Sequence, residues 1–253
     1  MSIGRRAFLL AGAGLLGGCD RLSDSASFTA MLRQAQFLSR WAQNHVTGAG
    51  ALAQEFGEDE VSGEFRSNGT SMPDSAIYRG LVANGFHDWL LQVDGAVRQP
   101  LQLNLAQLKM LPPRTQVTRH DCVEGWSVIG KWTGVQLARV LNLAGPLPRA
   151  RFVVFHCADP MDGSDQTAPL STYYESIDLA EAYHPQTILA YGLNDAPLPV
   201  ANGAPLRLRV ERQLGYKQAK YLMRIELVDR LDGIRGGKGG YWEDLGYEWY
   251  AGI

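Results

Sequence analysis

Cys122 is the residue of this chain whose surroundings point most clearly to chemistry. The run Gln116 to Cys122 is β-branched and polar and predicts a strand, and a turn follows at Gly125. Two tryptophans, Trp126 and Trp132, come next. A cysteine at a strand end beside a loop rich in glycine and tryptophan is placed to bind a metal or to act as a nucleophile. Free cysteine also often serves as a small buried hydrophobic residue, so both interpretations are open here.

The residues before Cys19 indicate export. Arg5 and Arg6 followed by the apolar run Leu9 to Leu16 resemble a twin-arginine signal, and the run is too short to span a bilayer as a structural helix. Leu16 to Cys19 is similar to the lipobox of bacterial lipoproteins. We therefore predict a signal over residues 1–18 and a periplasmic protein. Cys19 then either carries a lipid anchor to the inner membrane or follows an ordinary cleavage site.

Two other arrangements of the cysteines are compatible with export. In an oxidising compartment, Cys122 and Cys157 could form a structural disulfide. Together with His120 and His156 they could instead form a zinc site. Strand geometry disfavours the zinc site, because the adjacent residues His156 and Cys157 should point to opposite faces of a strand.

Four separated segments of the chain carry one resemblance. They are Phe65–Thr70 (FRSNGT), Cys122–Leu137 (CVEGW followed by KWTGVQL), Asn202–Leu208 (NGAPLRL) and Gly215–Lys220 (GYKQAK). In order and spacing they resemble the sulfite oxidase family of molybdopterin oxidoreductases, and the likeness is to its small, single-domain bacterial members. The resemblance extends from about Phe65 to the C-terminus and implies a molybdenum–molybdopterin cofactor.

The resemblance implies a role for individual residues in these segments. Cys122 would supply the thiolate bound to molybdenum, and would be both metal ligand and catalytic residue. Arg207 and Lys220 suit the pterin phosphate, since arginine offers a planar fork of donors and lysine a point charge. The other implied cofactor-binding residues are Asn202 at the pterin edge, Asn68 with Ser71 and Met72 along the pterin, Gln218 and Ala219 through backbone N–H groups, and Cys157 beside the cofactor.

One departure from the family pattern bears on the substrate. Sulfite oxidases have an arginine directly before the asparagine matched by Asn68, and that arginine helps to bind sulfite. Here Ser67 occupies the position, with Arg66 one place earlier. Adjacent residues of an extended segment point to opposite sides, so Arg66 does not simply substitute. The resemblance therefore implies oxygen-atom transfer on a small oxo-compound, with sulfoxide-type reduction favoured over sulfite oxidation.

Electrons for this chemistry are expected from a separate carrier, such as a membrane or soluble cytochrome. The chain shows no haem or iron–sulfur motif that would carry them internally. The net charge of −2 gives no reason to propose nucleic acid as a partner. Membrane contact is predicted only through the signal or the lipid anchor.

Protons must also move in such a reaction, and three residues beside Cys122 are candidate carriers: His120, Asp121 and Glu124. On a strand, Asp121 should face away from Cys122. The rival interpretation of the whole chain is a non-catalytic exported lipoprotein scaffold held by a Cys122–Cys157 disulfide.

The elements that would position these residues predict an α+β fold over residues 63–253. It is a mixed, β-rich molybdopterin-binding fold of the sulfite oxidase type with short peripheral helices. Predicted strands are Arg151–Cys157, Thr187–Gly192, Pro205–Val210 and Tyr221–Val228, with a hairpin over Trp89–Val97. Predicted helices are Leu103–Leu111, one that begins at Thr133 with Gln136 as capping-box partner, and a short one capped by Asp178 and Glu181.

Three further segments flank this fold. Residues 19–62 are predicted to form a tether and an amphipathic helix over Phe28–Ala42 that packs against the domain. The polar loop Asp159–Ala168 is of the kind that lines active sites. The tail Gly233–Ile253 contains five aromatic residues and is expected to fold back onto the domain, at the rim of the site.

Overall fold

A computed structural model describes residues 50–161 and 172–253 and six isolated positions before them. The chain divides into two units between Ala51 and Leu52, and the second unit carries the sheets and the site. The predicted signal and Cys19 lie outside the described residues. Four positions of the predicted amphipathic helix are described and are helical, whereas its packing stays a prediction: Phe28, Met31, Leu38 and Trp41. Among the described residues, no helix is both long enough and apolar enough to cross a membrane.

Five strands of the second unit form the first sheet. In chain order they are β1 (Leu91–Gly95), β2 (Leu101–Leu103), β5 (Phe152–Pro160), β6 (Thr172–Asp178) and β10 (Leu222–Val228). Their order across the sheet is β2-β1-β10-β5-β6. The pair β1–β10 is parallel and the other neighbours are antiparallel.

The second sheet carries the loop that contains Cys122. Its strands are β3 (Pro113–Asp121), β4 (Ser127–Gln136), β7 (Ile188–Leu193), β8 (Ala196–Pro197) and β9 (Arg207–Arg209). They pair in the order β3-β4-β7-β8, and β9 also pairs with β7. The β3–β4 ladder runs from Pro113 opposite Val135 to Asp121 opposite Ser127. Cys122 is therefore the first residue of a short loop that joins two long, fully paired strands.

Short helices lie between the strands, as the sequence predicts for this class of fold. The α-helices are α1 (Ala76–Ala83), α2 (Leu105–Met110), α3 (Leu137–Ala144), α4 (Leu179–Ala182) and α5 (Tyr241–Asp244). Three turns of 3₁₀-helix cover Glu58–Glu60, Val200–Asn202 and Gly215–Lys217. The Asp178 side chain caps α4 by accepting from the Glu181 N–H over 2.8 Å, as predicted, whereas the Glu181 carboxylate pairs with Arg212.

The predicted helix that begins at Thr133 is wrong at its start. Residues Thr133 to Gln136 belong to β4, where they pair with β7, and α3 begins only at Leu137. The Gln136 side chain makes no cap hydrogen bond and donates to the Pro185 carbonyl over 3.0 Å. Pairing on both edges of β4 overrides the local capping pattern, because each strand residue gains ladder hydrogen bonds that a helix start would lose.

Two smaller predictions are also corrected. The partner strand of the Trp89–Val97 hairpin is β2, so the return strand begins at Leu101 rather than at Ala96. In β10 the register shifts between Leu222 and Arg224, which places Leu222 on the buried side with Ile225 and Leu227. A bulge of this kind breaks the simple alternation from which the faces were predicted.

Glycine at position 134 allows β4 and β7 to approach closely. A methyl group at Gly134 would lie 2.2 Å from the Leu189 carbonyl oxygen. We therefore expect Gly134→Ala to lower the free energy of unfolding by about 1–3 kcal/mol, because the backbone of β7 must move. Gly80→Ala in α1 is the matched control, since nothing lies within 4 Å of the added methyl. It should leave stability unchanged or raise it by about 0.5–1 kcal/mol in urea unfolding. Equal losses in both variants would contradict the close approach.

The C-terminal tail folds back onto the domain, as its aromatic residues predict. Trp249 Nε1 donates to Ser176 Oγ over 2.8 Å, and Tyr216 donates its hydroxyl to the Glu248 carbonyl over 2.7 Å. Glu243, in α5, is 1% exposed and accepts from Lys217 Nζ over 2.5 Å. The tail is thus fixed to β6 and to the segment that carries the GYKQAK motif.

Candidate cofactor and substrate site

A cavity of about 180 Å³ lies beside the β3–β4 loop. Four of the predicted site residues line it: Asn68, Cys122, Gln218 and Lys220. Their neighbours Gly69, Thr70, Gly215 and Tyr216 line it as well. Three of the four motif segments, which are far apart in the chain, therefore meet at one cavity.

A tight turn presents Cys122 to this cavity. The Cys122 N–H donates to the Trp126 carbonyl over 2.9 Å, and the Gly125 N–H donates to the Cys122 carbonyl over 3.0 Å. Gly125 adopts a φ of 86°, which favours glycine. Burial raises the pKa of the Cys122 thiol, and the Glu124 carboxylate adds to this, while the backbone N–H groups of Glu124 and Val123 and the charge of Arg66 lower it. A bound metal cation would favour the thiolate strongly.

The two described cysteines are free thiols, so the disulfide of the rival interpretation is not formed. Cys157 is 4% exposed in β5, inside the main hydrophobic core, and does not line the cavity. Burial raises the pKa of its thiol well above the ordinary value, and the Asp159 carboxylate adds to this. Among residues 50–161 and 172–253, no cluster of His, Cys, Asp and Glu suits a metal ion, so the zinc alternative has no support there.

Lys220 ties the first motif segment to the wall of the cavity. Its ammonium group donates to the Asn68 carbonyl over 2.6 Å, to the Thr70 carbonyl over 2.5 Å and to the Ala201 carbonyl over 2.9 Å. Burial, followed by the charge of Arg207, lowers the pKa of Lys220 to about 7. An anion in the cavity would raise this pKa and stabilise the ammonium form.

Arg207 supports the wall from behind. It is fully buried and does not line the cavity. Its guanidinium donates to the Asn202 carbonyl over 2.9 Å and to the Gln218 carbonyl over 3.2 Å, and it lies 5.0 Å from the Trp132 ring centroid. Burial, followed by the charge of Arg209, lowers the pKa of Arg207 to about 9. Arg207 therefore holds the backbones of two motif segments, and its direct contact with a phosphate stays a prediction.

The remaining predicted cofactor-binding residues lie around the cavity rather than in its lining. Asn202 and Ala219 are buried, at 6% and 1% exposure. Ser71 is exposed and Met72 is 44% exposed. Their roles toward a pterin stay predictions.

Arg66 and Ser67 point to different surroundings, as expected for adjacent residues of an extended segment. The Ser67 hydroxyl donates to the Ala201 carbonyl over 2.5 Å, on the Lys220 side. The Arg66 guanidinium carbon lies 4.9 Å from the Trp126 ring centroid. Arg66 is near enough to Cys122 for its charge to lower the thiol pKa, but it does not line the cavity.

The three candidate proton carriers differ sharply in their surroundings. Burial, followed by the charges of Arg209 and Arg207, lowers the pKa of His120 well below its ordinary value, so this ring is neutral at working pH. Asp121 accepts from Ser127 and Arg119 and is absent from the cavity lining, as predicted. Glu124 lines the cavity but is exposed and accepts from Trp126 Nε1 over 2.9 Å.

Sequence reasoning missed several residues of the cavity. They are Asp159 near the end of β5, Met161 just after it, Tyr173 in β6, and Trp242 and Tyr247 in the tail. Signals for two of these groups existed: the polar loop after β5 and the aromatic tail were both predicted to lie at the site. Residues 162–171 of that loop lie outside the described part of the chain.

Comparison with known proteins identifies the family of this chain. A profile described as "Oxidoreductase molybdopterin binding domain" matches residues 80–233. The chain belongs to the molybdopterin-binding oxidoreductases of the sulfite oxidase family. The predicted fold class and the prediction of an oxidoreductase are thereby confirmed.

Similar proteins carry names that describe a common activity. A protein of Azospira oryzae, "Putative protein-methionine-sulfoxide reductase subunit YedZ1", is 37% identical over 98% of this chain and 87% of its own length. "Protein-methionine-sulfoxide reductase catalytic subunit MsrP" of Ralstonia nicotianae is 36% identical over 68% of this chain. This match spans 53% of the MsrP protein, so the chain matches about half the length of that relative.

A solved structure supports the fold. The sulfane dehydrogenase SoxCD of Paracoccus pantotrophus superposes with a TM-score of 0.51 over 57% of this chain and 39% of that one. The sequence identity is 22%, so the likeness concerns the fold alone.

The donor groups of the cavity fit the cofactor of this family. A soft cysteine sulfur suits a metal that a dithiolene already binds through sulfur. The Asn68 side-chain oxygen is buried and has no hydrogen-bond partner among the described residues, which suits a ligand that offers N–H donors. Lys220 places a cation beside the same segment, where an anionic group would relieve its burial.

Proposed function

We propose that this chain is a molybdenum-cofactor-dependent reductase that removes the oxygen atom from a small sulfoxide, including the sulfoxide of methionine. The observation that carries the proposal is the convergence of Cys122, Asn68 and Lys220 at one cavity with an aromatic wall. The names of the relatives support the same reaction. When bound, the cofactor supplies the two-electron redox centre that accepts the oxygen atom.

In this proposal each motif segment has one task toward the cofactor. Cys122 binds the molybdenum through its sulfur. Lys220 and the 67–70 segment that it holds bind the pterin, and Arg207 fixes the Asn202 and Gln218 backbones behind them. These tasks require the side chains to be held in position before the substrate binds, and their burial and hydrogen bonds hold them there.

The cavity suits a neutral sulfoxide better than an anion. The Lys220 ammonium is already engaged by three carbonyl oxygens, and Ser67 replaces the arginine that sulfite oxidases use. Tyr173, Trp242 and Tyr247 line the wall, and aromatic rings make favourable contacts with a thioether sulfur. The product of sulfoxide reduction is such a thioether.

Electrons are proposed to come from a separate carrier, because the chain has no haem or iron–sulfur motif and its relatives are named as subunits. The twin-arginine pattern supports periplasmic export, and the segment ending at Cys19 supports a lipid anchor there. Mass spectrometry of the protein from the native membrane fraction would show whether Cys19 is acylated.

A paired substrate assay tests the proposed reaction. The protein is purified from a molybdenum-competent host and assayed for methionine sulfoxide reduction with reduced viologen and for sulfite oxidation with an artificial acceptor. We expect kcat/KM for the sulfoxide to exceed that for sulfite by roughly 100-fold or more, a difference of about 2.7 kcal/mol in the barriers. Sulfite oxidation at a comparable or higher rate would reject the proposal.

Position 67 should control this preference. We expect Ser67→Arg to shift the ratio of the two kcat/KM values toward sulfite by about 10-fold, which is about 1.4 kcal/mol, because it adds a positive charge directly before Asn68, which lines the cavity. Ser67→Gln is the matched control, since it adds similar bulk without charge and should not shift the ratio toward sulfite. An equal shift in both variants would contradict a role for charge at this position.

A further inference from the structure

Asp159 is a buried carboxyl group in the cavity that the proposed function has not yet used. It lies near the end of β5, it is 5% exposed, and it lines the same cavity as Cys122. Its Oδ1 atom is buried and has no hydrogen-bond partner among the described residues. A buried polar atom without a partner in a cavity wall suits an interaction with a ligand.

The other buried acids of the described chain are used differently. Glu211 pairs with Arg209 over 2.5 Å, and Glu175 pairs with Lys217 over 2.6 Å. Asp159 makes no such ion pair among residues 50–161 and 172–253. Lys220, whose charge lowers the pKa of Asp159, directs its ammonium group to three backbone carbonyls instead. A carboxylate that is buried without a counter-ion is costly, so a neutral acid or a functional role is expected.

Burial and the groups around Asp159 have opposite effects on its pKa. Burial raises its pKa to about 7, while its own backbone N–H and the charge of Lys220 act in the opposite direction. The other titratable groups that interact with it are Cys157, Tyr78, Tyr173 and Tyr221, and its negative charge raises the pKa of each. These four groups are neutral near pH 7. Among the titratable groups that interact with Asp159, Lys220 is therefore the one that carries a charge, and this charge lowers the pKa that burial raises.

Sulfoxide reduction requires protons at this cavity. The sulfur–oxygen bond of the substrate breaks, two electrons from the separate reduced carrier reduce the sulfoxide to the thioether, and the oxygen atom takes two protons to leave as water. We propose, on the basis of the proposed function, that Asp159 is the catalytic acid that gives one of these protons to the oxygen atom removed from the substrate. The second proton and the reprotonation of Asp159 come from solvent.

The alternatives to Asp159 are weaker on geometry. His120 is fully buried and does not line the cavity, and its Nδ1 lies 3.0 Å from Arg209 Nη1. Glu124 is exposed to solvent, and its Oε2 already accepts from Trp126 Nε1 over 2.9 Å. Asp159 combines a place in the wall, an unpartnered oxygen and burial.

The first test is the pH dependence of the holoenzyme. Asp159 is protonated below its pKa and ionised above it, so kcat for sulfoxide reduction should fall as pH rises through about 7. Asp159→Asn should lower kcat by about 100-fold or more and remove this fall. Asp159→Glu, which keeps the carboxyl group, should recover part of the rate. Asp195→Asn is the matched control, because Asp195 is exposed, does not line the cavity and adopts a φ of 62° that asparagine tolerates. It should keep the wild-type rate and pH profile.

The second test does not depend on turnover. Infrared difference spectra of the wild type between about pH 5 and about pH 9 should contain the C=O band of Asp159 as it ionises, identified by comparison with its variant. The band should be missing from Asp159→Asn and present in Asp195→Asn. Molybdenum content is measured for each variant alongside.

Three outcomes would overturn the proposal. The first is a wild-type rate and pH profile in Asp159→Asn. The second is a loss of rate that matches a loss of molybdenum with an unchanged pH profile, which would make Asp159 a residue that holds the cofactor. The third is the absence of the infrared band from the wild type. Failure of the proposed function itself looks different, because the wild type would then reduce no sulfoxide whatever the state of Asp159.

Discussion

Replacing Cys122 by serine is expected to lower kcat for sulfoxide reduction by roughly 10³-fold or more, equivalent to about 4 kcal/mol in the barrier. A serine hydroxyl keeps the size of the side chain but is a harder and far weaker ligand than a thiolate for a sulfur-bound metal. The turn that holds the residue should survive, because its hydrogen bonds join backbone groups of Cys122, Gly125 and Trp126. The measurement is steady-state kinetics with molybdenum content determined on the same samples.

Cys157→Ser separates this account from the disulfide scaffold. Cys157 lies in the core and does not line the cavity, so its variant should retain its molybdenum and most of its activity, with a modest loss of stability. In a disulfide scaffold, each single variant would instead lose the same cross-link and the same stability, and neither would affect a metal. Equal stability losses in the two variants, with no molybdenum in the wild type, would therefore contradict the enzyme.

Lys217→Met is expected to lower the free energy of unfolding by about 3–5 kcal/mol. Lys217 is fully buried between two carboxylates, at 2.6 Å from Glu175 and 2.5 Å from Glu243. Removing the ammonium group leaves both acids buried without their cation. Because Glu243 belongs to α5, the loss should also loosen the tail residues Trp242 and Tyr247 at the cavity. Urea unfolding and the KM for sulfoxide measure the two effects.

The stability lost in Lys217→Met should depend on pH. Burial raises the pKa of Glu175 well above its ordinary value, although the charge of Lys217 lowers it. A raised carboxyl pKa gives stability that is lost as pH rises through the folded-state pKa, and removing Lys217 raises that pKa further. The variant should therefore lose more stability at alkaline than at acidic pH. Lys238→Met, in an exposed part of the same tail, is the control and should change stability by less than about 0.5 kcal/mol. Equal losses in both variants, or a loss independent of pH, would contradict the buried triad.

The sequence predicted the parts of this protein that local pattern determines. The strand Arg151–Cys157 was recognisable because an apolar β-branched run is long enough to identify a buried strand, and β5 covers Phe152–Pro160. The helix Leu103–Leu111 was limited by Pro112 and Pro113, and α2 covers Leu105–Met110. The start of α3 was misplaced because the pairing of Thr133–Gln136 with β7 is a long-range effect that no local window contains.

Sequence motifs predicted only part of the candidate site. Cys122, Asn68, Gln218 and Lys220 belong to recognisable segments, and the structure brings them to one cavity. Asp159 belongs to no such segment, and its significance comes from burial and from the absence of a counter-ion, which only the assembled fold reveals. The ion-pair partners Glu175, Lys217 and Glu243 are likewise too far apart in the chain for spacing to connect them.

X-ray absorption at the molybdenum edge tests the central claim most directly. The purified wild type and its Cys122→Ser variant are compared by the number of sulfur atoms bound to molybdenum. The account predicts stoichiometric molybdenum in the wild type with three sulfur ligands, two from the pterin and one from Cys122, and the loss of one sulfur from any metal that the variant retains. An identical sulfur count in the two proteins would show that Cys122 does not bind the metal.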